Sequence, residues 1–128
     1  MKTLALCFAL AALVLPPPAR ALPLAPDHPV IAFATCAGRL SATMEHQWMF
    51  DGPGSERTEA QRAAMISLLE AVMPAELGRE VLHLRLEAKF AQAALLARAR
   101  FNDDAEDAVR AGALAGLRLA ECTGMLLS

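Results

Sequence analysis

The sequence predicts an all-α protein, a small up-down-up-down four-helix bundle with one disulfide, preceded by a cleaved signal peptide. Three observations lead there. Apolar residues recur at three- and four-residue steps in four separate stretches of the chain. No stretch alternates with period two for the length of a strand. Two cysteines, Cys36 and Cys122, fall where antiparallel first and last helices would bring them together.

The N-terminal residues read as a targeting segment. Lys2 is followed by an unbroken apolar run from Leu4 to Leu15, then by Pro16-Pro17-Pro18 and the small-x-small triplet Ala19-Arg20-Ala21. That is the layout of a secretory signal, with cleavage expected after Ala21. The run is shorter than the roughly 20 residues needed to span a bilayer, so no stable membrane insertion is expected after cleavage. Leu6 precedes Cys7 where a lipoprotein signal wants a small residue, which argues against lipidation. The remaining chain, 22–128, suits one domain: residues 22–29 as an extended leader and 30–128 as the helical body.

Each helix has its own signals. Three prolines in 22–29 keep the leader extended, and Asp27 can cap a first helix with Pro29 in its first turn. Helix 1 is expected over about 29–49, with Phe33, Ala37, Leu40, Met44 and Trp48 on one face. Phe50-Asp51-Gly52-Pro53-Gly54 reads as a loop, and Ser55 or Thr58 as the next cap, Thr58 and Gln61 having capping-box spacing. Helix 2, about 56–73, has a stripe of Met65, Leu68, Leu69 and Val72. Pro74–Gly78 reads as a tight connection or as a kink in one longer helix.

Helix 3, about 76–101, carries two apolar stripes. One contains Leu77, Val81, Leu84, Ala88, Ala91 and Leu95, and the other Leu82, Leu86, Phe90, Ala93 and Ala97. So broad a front predicts a helix touching two neighbours. Asn102-Asp103-Asp104 supplies caps for helix 4, about 104–124, whose inner positions are small: Ala105, Ala108, Gly112, Ala115 and Gly116. Small residues there predict close approach of helix axes.

Charge and cysteine usage narrow the function. Loss of Lys2 and Arg20 with the signal leaves ten cations against 14 acids, a formal charge of −4. A mildly acidic chain lacks the clustered basic footprint of a general nucleic-acid binder. Nine of those ten cations are arginine, which we read as GC-rich bacterial coding, and export then places the protein in the periplasm or outside the cell. Cys7 leaves with the signal, and an even pair in an oxidising compartment is most simply a Cys36–Cys122 disulfide.

The chemical motifs are incomplete. Glu80-x-x-His83 has the spacing used in bundle di-iron sites, but helices 2 and 4 contain no histidine to complete one. Glu76, Glu80, His83 and Glu87 instead share a polar stripe. Met44 and His46 lie about 200° apart around a helix and cannot easily meet at a copper ion. Haem attachment through Cys-x-x-Cys-His, a Gly-x-Ser-x-Gly elbow and a phosphate loop have no match in the sequence. No cofactor is therefore expected, and no enzymatic activity.

One feature stands above this background. Trp48-Met49-Phe50 are three consecutive apolar residues, which cannot all face one core. They either plug the end of the bundle or form a partner patch, since Trp and Phe are enriched at interfaces. The leading expectation is an exported interaction or accessory protein of the cell envelope, with another envelope protein as partner. The alternative is a small metal- or ligand-binding bundle using Glu80, His83 and Glu87.

Overall fold

The computed structural model describes residues 24–127, so the signal-peptide reading of 1–21 lies outside the described residues. Leu24 packs against the core, and Ala25–His28 closes a turn in which the His28 amide donates to the Ala25 carbonyl at 2.9 Å. Helix α1, Pro29–Phe50, starts at once. Its cap is His28 instead of Asp27: the Val30 amide donates to His28 Nδ1 at 3.2 Å. Pro29 is tolerated in the first turn because the amide it lacks has no helical partner there.

The break after α1 is shorter than the glycines and proline suggest. Helix α2, Gly52–Val72, begins directly after Asp51, whose carboxylate accepts from the Gly54 amide at 3.0 Å. Gly52-Pro53-Gly54 is thus a helical first turn, not a loop. Thr58 is not a cap; it is buried, and its hydroxyl donates to Gln47 Oε1 of α1 at 2.7 Å. Met73 and Pro74 end α2, and the 3₁₀ turn Ala75–Leu77 feeds α3, Gly78–Phe101. Residues 74–78 are therefore a turn and not a kink. Helix α4, Ala105–Met125, is capped by Asp104, which accepts from the Glu106 and Asp107 amides at 3.0 and 3.1 Å. The described residues are all-helical, with four helices and no strand.

Helix α1 is the inner element. From Cys36 to Met44 every residue is buried except Arg39, which is half-buried. No single apolar stripe produces that; it follows from neighbours on three sides. Against α2, Val30 and Ala34 meet Leu69, while Ala37 and Leu40 meet Met65. Helix α3 takes a second side and α4 a third. Leu95, Ala111 and Ala115 form a separate cluster between α3 and α4.

Pairings along α1 fix the directions. Val30 and Ala34 cluster with Val81, Lys89 Nζ donates to Glu45 Oε1 at 2.6 Å, and Phe50 faces Phe101, so α1 and α3 run the same way. Helix α2 runs against α1, since Gln47 meets Thr58 and Val30 meets Leu69. Helix α4 also runs against α1. Cys36 and Cys122 are joined by a disulfide, with an S–S distance of 2.01 Å and Cα atoms 5.3 Å apart. Yet α4 lies mainly along α3 and reaches α1 chiefly near this bridge. Closing a sequence separation of 86 contributes about 4–5 kcal/mol in the chain-entropy account.

The close approach of helix axes is between α1 and α3, not at the α4 glycines. A Cβ placed on Gly38 would lie 2.2 Å from the Arg85 carbonyl oxygen and 3.0 Å from the Lys89 amide nitrogen. Those are backbone atoms and cannot swing aside. Gly112 meets only the Ala99 side chain at 3.5 Å, and Gly116 meets nothing within 4 Å. Gly38→Ala should therefore cost about 1–3 kcal/mol by overpacking, although alanine is the better helix former. Gly116→Ala should instead stabilise by up to about 1 kcal/mol. Denaturant unfolding of the two variants checks the contrast; equal effects of both would remove the tight contact.

Candidate functional site

Trp48, Met49 and Phe50 end α1 in solvent. They are 61%, 63% and 44% exposed, so they do not plug the bundle. The helical step from Met44 to Trp48 favours an inward tryptophan. The chain then turns at Asp51 into Gly52-Pro53-Gly54, residues that carry no large apolar side chain. Phe50 is the least exposed of the three. Its ring stands 4.9 Å from that of His46 and 6.2 Å from that of Phe101, and the Arg100 guanidinium carbon lies 4.3 Å over its face. Burial, and secondarily the Arg100 charge, hold the His46 imidazole below its ordinary pKa.

Phe101 connects this cluster to α3. The second apolar stripe of that helix, Leu82, Leu86, Phe90, Ala93 and Ala97, is exposed throughout instead of covered by a second neighbour. Phe90 alone is 68% exposed. The reason lies in the packing. Helix α2 packs along α1 and comes together with α3 beside the 3₁₀ turn, where Leu69 clusters with Leu77 and Val81. Met49, Phe50, Leu82, Leu86, Phe90 and Phe101 are each more than two-fifths exposed, and a row of large apolar side chains in water is the kind of surface that marks an interaction site.

Two recesses interrupt the surface. A mainly apolar one of about 220 Å³ lies between α1 and α3, bordered by His46, Met49, Leu96 and Phe101. A second, of about 190 Å³, lies between α2 and α3 with α1 as its floor. Its walls include Met44, Leu82 and Leu86, and its polar groups are Ser41, Glu45, Arg62, Arg85 and Lys89. Glu45 is engaged by Lys89 at 2.6 Å. Arg62 Nε donates to the Ser41 hydroxyl at 2.7 Å, which in turn donates to the Ala37 carbonyl. Among the described residues, neither Arg62 nor Arg85 has a carboxylate partner.

The polar stripe of α3 is not gathered into a site. His83 Nε2 lies 3.4 Å from Glu87 Oε1, both side chains largely exposed, and Glu80 joins no pair with them. Among the described residues, no group of three His, Cys, Asp or Glu is placed to hold a metal ion. A third recess, about 330 Å³, flanks the disulfide, where Arg39 pairs with Glu121 at 3.1 Å. Sequence reasoning did not single out Arg62, Arg85 or Phe101. Their only signal was position, Phe101 completing the 82–97 stripe at its next helical step.

The chain matches no protein-family model, and comparison with curated proteins and with solved structures gives no match either.

His46 gives the surface a pH signature. Its folded pKa lies below the unfolded value, so the associated stability is fully present above the unfolded pKa and is lost as pH falls through the folded one. The melting temperature of the parent protein, minus that of His46→Gln, should fall between about pH 7 and pH 5. A flat difference would show that the imidazole is not held neutral by its surroundings.

Proposed function

We propose that this is an exported, non-enzymatic interaction or accessory protein of the cell envelope. On this reading residues 1–21 direct export and are removed after Ala21, and the body is an up-down-up-down bundle delivered to the periplasm or beyond. The observation that carries the reading is the exposed apolar surface from Met49 and Phe50 through Phe101 along α3, with Trp48 exposed beside them in sequence, held on a disulfide-closed scaffold. A monomer gains nothing from leaving such a surface in water, whereas a partner covering it removes apolar area from solvent. The Cys36–Cys122 bridge supports an oxidising compartment. No helix among the described residues is long and apolar enough to cross a membrane.

The test has two arms. The protein is expressed with its own N-terminus in a diderm bacterium, and the product is recovered from the periplasm and sequenced from its first residue. A chain beginning at Leu22, with no free thiol, is expected. In parallel, a photocrosslinker replaces Phe50 in one variant and Glu70, on exposed α2, in another. Discrete envelope-protein adducts from position 50 but not from 70 are expected. A cytoplasmic product with free thiols, or no adduct from position 50, would overturn the proposal.

A further inference from the structure

We infer that the groove between α2 and α3 receives an acidic amphipathic helix of a partner chain. The inference rests on the interaction reading above and specifies which surface is used and what it recognises.

Shape points to a helix. The exposed stripe steps through Leu82, Leu86, Phe90, Ala93, Ala97 and Phe101, at intervals of four, four, three, four and four. It is a straight ridge on one side of α3, about 28 Å long at 1.5 Å per residue. The flank that a further bundle helix would fill is open, because α2 and α3 separate beyond the 3₁₀ turn. A ridge-and-groove surface of this length fits the apolar face of another helix. A small molecule would occupy only the 190 Å³ recess and leave Phe90 and Phe101 in water.

Charge points to acid. Arg62 and Arg85 stand in the groove wall, while Arg79 and Arg100 lie on α3 near the two ends of the stripe. Among the described residues none of these four has a carboxylate partner, nor do Arg57 and Arg118 outside the groove lining, whereas Arg39, Lys89, Arg98 and Arg110 are all paired. Glu45 is the carboxylate lining the recess, and Lys89 holds it. The groove is therefore locally cationic in a chain whose overall formal charge is negative. A second copy would bring the same unpaired arginines to the same apolar ridge. Glutamate or aspartate flanking an apolar face supplies what is missing, with bidentate geometry available at each guanidinium.

The experiment uses two fluorescein-labelled synthetic 21-residue amphipathic helices with identical leucine faces, one flanked by glutamate and one by lysine. Anisotropy titration of the oxidised protein should show the glutamate peptide binding and the lysine peptide at least about tenfold weaker. Arg85→Glu should reverse that preference, and Phe90→Ser should weaken both peptides. Arg79→Glu provides a second charge reversal at an exposed position, and melting curves identify any variant that fails to fold. Equal binding of the two peptides, or binding indifferent to both arginine reversals, would overturn the inference. So would a native mass of two chains that Phe90→Ser returns to one, since a second copy would then be the occupant. Partner adducts from position 50 alongside failure of the acidic peptide would sink this inference alone; loss of the adducts would sink the interaction reading itself.

Discussion

The backbone contact between α1 and α3 at Gly38 sets the terms for everything else. With no side chain at that position, the Arg85 carbonyl approaches α1 more closely than a Cβ would allow. Two helices in such contact behave as one unit. They run in the same direction, so the chain between them must return along another path, and α2 is that path. Helix α4 then comes back beside α3, and the disulfide ties its end to the start of α1. The outcome is a bundle with one helix inside instead of four equivalent ones. The burial of Cys36–Met44 on nearly all sides is its local signature.

That asymmetry also produces the exposed apolar surface. Of the three helices around α1, α3 and α4 pack along each other, whereas α2 packs along α1 alone and leaves an open groove between itself and α3. On its other flank α3 has α4, where Gln92 reaches the Ala115 carbonyl at 3.1 Å and Thr43 at 3.4 Å. Gln92 is fully enclosed and its Oε1 has no partner, so this polar bridge among three helices carries a desolvation cost. On the open flank the same helix shows leucine and phenylalanine to water. One helix thus spends polarity inside and hydrophobicity outside, and the second half of that exchange makes sense if another molecule covers it.

Much of the architecture was legible in the residues. Four helical stretches, the Asp104 cap of α4 and the pairing of Cys36 with Cys122 follow from periodicity, capping chemistry and cysteine count. The misreadings have physical causes. Gly52-Pro53-Gly54 looks like a loop, but Asp51 supplies the acceptor that lets a helix begin there. Gly112 and Gly116 look like a close-packing pair, but close packing needs a facing backbone, and only Gly38 has one. The second stripe of α3 was visible as apolar, yet periodicity reports a face and not whether a neighbour arrives to cover it. The candidate surface was half legible for the same reason. Trp48, Met49 and Phe50 stand out in sequence, whereas Arg62 and Arg85 become a pair only when α2 and α3 are placed across the groove.

Native-state hydrogen exchange of the oxidised protein, resolved by residue, tests this arrangement most directly. If α1 is the enclosed helix, amides from Cys36 to Met44 should exchange most slowly, at or near the rate of global unfolding, and the exposed flank of α2 well before them. Protection spread evenly over the four helices, or greatest in α2, would contradict a fold organised around α1.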